Sequence, residues 1–355
     1  MALLLTGGAR AGDTFKMPQP GRGFEFPRDH GAHPEYQSEW WYCVGHLKDA
    51  SGEAFGYQLT FFRVALRQPN PLARSAWSLN TIYFAHLALT DPARQTFRFR
   101  DKAGRGALKL SGAQVGAMHV WIDDWRAELQ GDTFHLKALD GGLGLDLFLK
   151  PTKPPALHGE GGYSKKSATF ASASYYYSLS RLDTHGSITM AGRSLPVTGL
   201  SWMDHEFFTE AMAPNLAGWD WFGLQLQDGW DVMLYLLRHK DGTVDLASSG
   251  TLIDPQGHPH HLKLADFQVK TTGTWTSAHT GTKYPAGWEI VIPGQGYRLI
   301  LTPTLPDQEI RAPAPARVTY WEGEVRITGT KNGEPRTGLG YVELTGYSGG
   351  MGARF

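Results

Sequence analysis

The chain has 355 residues, about twice a common domain, so two domains are the first expectation. Its 34 Lys+Arg balance 34 Asp+Glu without a basic stripe or a run of like charge. This excludes nucleic acid and anionic membrane surfaces as partners held by bulk electrostatics. Aromatic residues at 12%, charged residues at only 19% and 43 glycines favour many strands with tight turns.

The N-terminus opens on a short apolar run, Met1–Leu5, followed by small residues and Ala9-Arg10-Ala11. Residues 1–23 read as a leader: either the tail of a secretory signal or a disordered cytoplasmic segment. A periplasmic or secreted location is expected, with the cytoplasm left open. No stretch approaches the roughly 20 apolar residues of a membrane-spanning helix. Next, FPRDHGAHPEYQSEWWY gathers His30, His33, Glu35 and Glu39 ahead of the first strand. It reads as a loop folding over a barrel end, with His30 or His33 bonded to a buried acid. A zinc reading is weak here because HExxH is absent, and no metal is expected. The single cysteine, Cys43, excludes an intrachain disulfide and reads as a buried inert thiol.

From there alternating or continuous apolar runs, bounded by Gly, Pro, Asp and Asn, predict strands almost throughout. In the first half they cover Trp40–Leu47, Phe55–Val64, Ile82–Thr90, Ala127–Gln130, Thr133–Ala138, Leu143–Leu149, Tyr175–Leu182 and Ser187–Met190. In the second half they cover Ser201–Glu206, Trp219–Leu226, Asp231–Arg238, Val244–Ile253, Trp288–Ile292, Tyr297–Thr302, Tyr320–Thr328 and Gly340–Thr345. Asp-Gly at 228–229 and 241–242 and Asn-Gly at 332–333 mark hairpins. Meandering short strands fit barrels or sandwiches. Pro151–Ser167 and Thr304–Pro315 read as long loops, Thr209–Ala217 as a domain junction, and His258–His261 as an exposed hairpin tip. Residues 41–63 and 221–238 echo each other: Trp-aromatic, strand, turn, aromatic-led strand, then Arg. The echo puts Arg63 and Arg238 at matching positions, each poised for an embedded carboxylate or left exposed at a strand end.

Four strings set aromatics directly against acids within strand-like sequence: EWWY (39–42), WMDHE (202–206), GWDWF (218–222) and YWEG (320–323). A carboxylate there is costly unless paired or used, so one shared polar site is expected. Side chains alternate faces along a strand. Trp202, Asp204 and Glu206 therefore share one face, and Met203 and His205 the other. Glu39 goes with Trp41, Tyr320 with Glu322, and Tyr341 with Glu343. A carboxyl desolvated by Trp and Tyr has a raised pKa and acts as a general acid near neutrality. Aromatic faces steady a developing carbocation. For any one of these acids a structural role, paired with Arg63, Arg126, Arg238 or backbone N–H, competes. His86, mid-strand among apolar residues, reads as a core histidine or a site residue. No GxSxG elbow, Walker loop or Rossmann fingerprint occurs, and no cofactor is expected.

Taken together, FPRDHGAHPEYQSEWWYCVGHL, FAHLALTD, LHGEGGYSKKS, YYYS, GLSWMDHEFF, GWDWFGLQLQDG, YWEGEVRITG and GYVELTGY resemble the AttH/CrtC family. Its members include carotenoid 1,2-hydratase, kievitone hydratase and fungal Diels–Alderases. The resemblance runs from Phe26 to Tyr347. It implies an all-β chain of two tandem lipocalin-like barrel or sandwich domains, here 24–207 and 208–355, packed against each other, with a hydrophobic pocket within one domain or between the two. It further implies a cofactor-independent hydratase (a lyase), isomerase or cyclase acting on an isoprenoid or polyene. The carotenoid hydratases are expected to carry an acid near a Tyr after the DH motif. The strand 232–237 has Tyr235 but no acid, and only Asp231 lies close.

In the resulting expectation Asp204 or Glu206 is the acid and His205 orients or relays the proton. Glu39, Trp41, His86, Tyr177, Trp219, Trp221 and Tyr235 bind the ligand, a hydrophobic small molecule. One alternative is a secreted carrier of a lipid or hydrophobic metabolite, with the acids as staples. Another is a hydrolase of unknown substrate.

Overall fold

The computed structural model describes residues 15–68, 80–209, 213–313 and 317–349. Met1–Leu5 and Ala9–Ala11 lie outside the described residues, as do parts of the expected junction and of the second Pro-rich loop. The described chain is all-β apart from three single-turn 3-10 helices, in two antiparallel sheets that follow one another in sequence.

The first sheet is built from β1 (Ser38–Asp49), β2 (Ala54–Ala65), β3 (Thr81–Asp91), β4 (Thr96–Arg105), β5 (Ser111–Ala113), β6 (His119–Ile122), β7 (Trp125–Gln130), β8 (Thr133–Asp140), β9 (Leu143–Pro151), β10 (Ala156–Leu157), β11 (Tyr163–Lys165), β12 (Ala173–Met190) and β13 (Arg193–Phe208). The order β4-β3-β2-β1-β13-β12-β9-β8-β7-β6-β5 brings its two ends together. There the Ser111 hydroxyl donates to the Arg105 carbonyl at 2.7 Å, and the barrel is nearly closed. The second sheet uses β14 (Leu216–Leu226), β15 (Asp231–His239), β16 (Ser249–Ile253), β17 (Pro259–Lys263), β18 (Gln268–Thr271), β19 (Thr274–Thr276), β20 (Lys283–Pro285), β21 (Trp288–Ile292), β22 (Tyr297–Pro303), β23 (Glu309–Arg311), β24 (Thr319–Lys331) and β25 (Glu334–Leu344), with β19 and β20 forming a separate ribbon.

Burial explains which strands alternate. β7, β21 and β22 show one buried and one wetter face, as a barrel wall in water requires. β1, β14 and the second half of β13, Ser201–Phe208, are buried almost continuously on both faces. One face fills a barrel and the other meets the opposite sheet. At that contact Tyr42, Val44, Tyr176 and Trp202 pack against Trp221, Met233, Tyr235, Leu237 and Tyr341. Polar clamps border it. Asp231 accepts from Lys153 and from Arg181 at 2.6 Å each, and His46 meets Glu324 at 2.7 Å.

Several expectations change. The segment 304–315 carries β23, which pairs with β24, and His260 and His261 lie in β17 rather than at a hairpin tip, the turn being at 254–258. The segment 151–167 is not a bare loop: β10 and β11 pair with β12 and carry Lys166 into the interior. The separate runs 175–182 and 187–190 are one strand with a bulge between Leu179 and Leu182. The expected strand at 244–253 begins only at Ser249, because the Asp245 carboxylate accepts from the N–H of Ala168 and Ala247 at 2.9 and 2.8 Å and turns the chain.

Candidate active site between the two sheets

A cavity of about 90 Å³ lies between the sheets. One buried water needs roughly 10–15 Å³ by the same kind of measure, so there is room for several waters or a compact ligand group. All four aromatic–acidic strings reach it, each through alternate residues. Trp40 and Tyr42 come from β1, Asp204 and Glu206 from β13, and Trp219 and Trp221 from β14. Tyr320 comes from β24, while Glu322 of the same strand accepts from the Tyr42 hydroxyl at 2.7 Å. Tyr176, Lys166, Tyr235, His86, Glu343, Thr60 and Thr345 complete the polar lining. Gly223 makes the wall possible: a Cβ there would stand 2.3 Å from the Trp221 indole.

The acids sit in different hydrogen-bond environments. Asp204 accepts from Trp202 Nε1 at 2.6 Å, from Tyr176 Oη at 2.5 Å and from the Ser178 hydroxyl. The Tyr176 oxygen in turn accepts from Trp221 Nε1 at 2.8 Å. Burial pushes the Asp204 carboxyl up to about 7 despite these donors, and Glu206 adds to the push. Glu343 accepts from Trp219 Nε1 at 2.6 Å. It too is raised to about 7, by burial first and then by the charges of Glu206 and Asp204. Glu343 is half-buried by surface although enclosed by protein, because the surface it keeps lines the cavity. Glu322 stands opposite Glu343 in the β24–β25 ladder. Burial and that neighbour hold it well above the usual carboxylate range, and its Oε2 has no partner.

Lys166 is the cation of the cluster. It pairs with Glu206 at 2.8 Å and lies 4.9 and 4.4 Å from the Tyr176 and Tyr235 rings. Burial works against its charge, but Glu206, Tyr235 and Asp204 outweigh it and raise its pKa. His86 is neutral, lowered to about 3 by burial. Its Nδ1 meets the Tyr320 hydroxyl at 2.8 Å and its Nε2 has no partner.

His205, Glu39, Trp41 and Tyr177 do not share the cavity. They occupy the opposite face of the first sheet, as strand alternation requires, and the expected proton relay from His205 to the cavity acids has no direct path. There Glu39 takes Arg63 Nε at 2.9 Å, His33 Nδ1 at 2.8 Å and His205 Nε2 at 2.9 Å. Tyr177 Oη lies 2.7 Å from His30 Nδ1 and 3.0 Å from His205 Nδ1. Trp41 donates to the His30 carbonyl at 3.0 Å. The loop 24–37 thus folds over the barrel end and bonds a buried acid. His33, Glu39 and His205 offer ligand atoms within 4.8 Å of one another. Each is already committed to a hydrogen bond, and Arg63 supplies the positive charge a metal would bring, so the donor set fits a staple better than an ion.

Arg238 pairs with Asp220 at 2.8 Å, the counterpart of Arg63 with Glu39. A Ser–His contact exists, Ser178 Oγ to His158 Nε2 at 2.6 Å. Both residues are fully buried, and the Ser178 hydroxyl is directed at Asp204, which gives a hydrolase no exposed nucleophile at that place. Sequence reasoning places Tyr320 and Glu343 in same-face aromatic–acid pairs without assigning them to the site, and it leaves Lys166, Tyr176, Tyr42 and Trp40 out altogether. The only signals for them were two lysines in a long loop and the YYYS and EWWY strings.

The AttH-like family model matches residues 17–347. A solved AttH protein from Nitrosomonas europaea is 35% identical, with 94% of this chain and 100% of that one covered at a TM-score of 0.85. Kievitone hydratase from Nectria haematococca superposes at 0.71 with 16% identity, over 95% and 96% of the two chains. CghA with Sch210972 superposes at 0.55 with 13% identity, over 95% and 98%. The last two show the fold alone, and with it the two tandem lipocalin-like domains. No curated protein sequence matches the chain.

Proposed function

The chain belongs to the AttH-like family, and from that premise we propose that it is a cofactor-independent acid catalyst acting on an alkene of isoprenoid or polyene type. The observation that carries this reading is the Glu343 carboxyl, raised to about 7 beside Trp219 and Trp221. An acid of that strength is half protonated at neutrality and has driving force to protonate. Glu343 is a better donor than Asp204. Both Asp204 oxygens are occupied by N–H or O–H donors, whereas Glu343 has one oxygen bonded by Trp219 and the other available to carry a proton toward the cavity.

The step balances without a co-reactant. Glu343 gives its proton to one alkene carbon, the π pair becomes the new C–H bond, and the neighbouring carbon becomes cationic. The faces of Trp219, Trp221 and Tyr176 steady that cation. Water then adds and releases a proton, or a neighbouring C–H loses its proton, or a second π bond closes a ring and the new cation so formed is discharged in one of those two ways. Whichever proton is released returns to the Glu343 carboxylate. Kievitone hydratase shares the fold and is a hydratase by name, which supports this reading by kinship only.

The test is exchange with solvent. The protein is incubated with a panel of isoprenoid and polyene alkenes in D2O and the recovered compounds are weighed by mass spectrometry. Deuterium gain that Glu343→Gln abolishes is expected. A compound that binds and returns unlabelled identifies a carrier and overturns the catalytic reading.

A further inference from the structure

Behind Tyr235 lies a second hollow, open to solvent, of about 480 Å³. Tyr235 lines both spaces. Its ring covers the Lys166 ammonium on the cavity side. On the other side its hydroxyl takes the Ser249 hydroxyl at 2.8 Å, lies 3.0 Å from Ser164 Oγ and donates to the Lys165 carbonyl at 3.2 Å. The side chain is a partition one residue thick.

The two spaces have opposite electrical character. The inner cavity gathers Asp204, Glu206, Glu343 and the adjoining Glu322 around one cation, Lys166. The outer hollow carries Lys165, Lys263 and His261 against one acid, Glu160. Lys166 is buried and paired. Its sequence neighbour Lys165 points the other way, as alternation dictates, and is exposed. Neither Lys165 nor Lys263 is in an ion pair among the described residues. Leu246, 78% exposed, adds an apolar rim.

We infer that the outer hollow is a subsite for the anionic head, carboxylate or phosphate, of an amphipathic substrate whose apolar part reaches the acid cavity when the Tyr235 ring turns out of the wall it forms between the two spaces. The inner space offers such a head no free cation, because Lys166 is paired with Glu206, and the two unpaired lysines hold it outside. The inference rests on the inner cavity being the ligand site.

Geraniol, geranic acid and geranyl phosphate share a chain and differ in the head. Their binding is measured by titration calorimetry at pH 8 and low salt, for the wild type and for Lys165→Glu/Lys263→Glu. Both lysines are surface residues, and a thermal melt checks that the double variant is folded. The anions are expected to bind at least about ten-fold more tightly than geraniol. The advantage should shrink with added salt and vanish in the double variant, with geraniol unchanged. The anion that gains more identifies the head group. Geraniol binding as tightly as both anions, or equal weakening of all three by charge reversal, overturns the subsite alone. Absence of binding by all three overturns the isoprenoid reading of the cavity together with it.

Discussion

Trp219 donates its indole N–H to Glu343 at 2.6 Å, and it is the one donor to that carboxyl among the described residues. Asp204 has three. Glu343→Gln keeps the shape and the Trp219 contact but has no proton to give. Turnover is expected to fall by about 10²–10⁴, the usual worth of a general acid, with the melting temperature held or raised. Solvent-deuterium incorporation checks it. Asp204→Asn is a different case, because an amide N–H₂ must face donors on both sides, and it should lose stability along with activity.

The acid's protonation sets the pH dependence of the reaction. Glu343 works in its protonated form, which burial maintains up to about 7. The rate should be level below that value and fall roughly ten-fold per pH unit above it, following the protonated fraction. A rate–pH profile that stays level to pH 9 would remove Glu343 as the donor.

Stability should also fall as the solution approaches neutrality. Asp204 and Glu343 titrate near 3.8 and 4.5 when unperturbed and near 7 in the fold. Between those limits the native state binds more protons than the unfolded chain, so raising the pH destabilises it. Each group contributes up to about 1.4 kcal/mol per pH unit in that window, and nothing further above 7. Glu39 has the opposite sign: it is depressed well below its ordinary value even though burial alone would raise it, because Arg63, His205 and His33 win. Its contribution is present above about 4.5 and lost in acid. Denaturant titrations from pH 4.5 to 7.5 should therefore show a decline, and Glu343→Gln should make it shallower, leaving the share due to Asp204.

Lys166 is the counter-charge for Glu206, and both are more than nine-tenths buried. Lys166→Met leaves a carboxylate buried without a partner, which costs about 3–5 kcal/mol. The double variant Lys166→Met/Glu206→Gln removes both charges and should recover most of that loss. Chemical denaturation of the two single variants and the double variant measures the coupling.

Much of this was legible in the sequence, for stated physical reasons. Period-two alternation correctly separated Asp204 and Glu206 from His205 and paired Trp41 with Glu39. It did not say which face turns toward the second sheet, since β1 and β13 are apolar on both sides and the pattern has no wet face to orient it. The pattern alone therefore groups Glu39 and His205 with the cavity acids and leaves Trp40 and Tyr42 apart from them. Lys166 was illegible for another reason. It reaches Glu206 only because β10 and β11 fold back onto β12, a tertiary pairing that a Pro- and Gly-rich segment does not announce.

The staple on the far face gives the sharpest control. Glu39 and Arg63 are paired across β1 and β2, and Arg63 also donates to the carbonyls of His33 and Tyr36 at 2.9 Å each. The pair thereby ties the N-terminal loop over the barrel. Glu39→Gln keeps the volume but leaves the Arg63 charge buried at 3% exposure, so stability should drop by about 3–5 kcal/mol. The cavity lies on the other face of the sheet, and its acids keep their donors. The midpoint near 7 in the rate–pH profile should therefore stay where it is at temperatures where the variant is folded. A shift of that midpoint by a full unit would mean that the two faces are coupled and that Glu39 belongs to the chemistry after all.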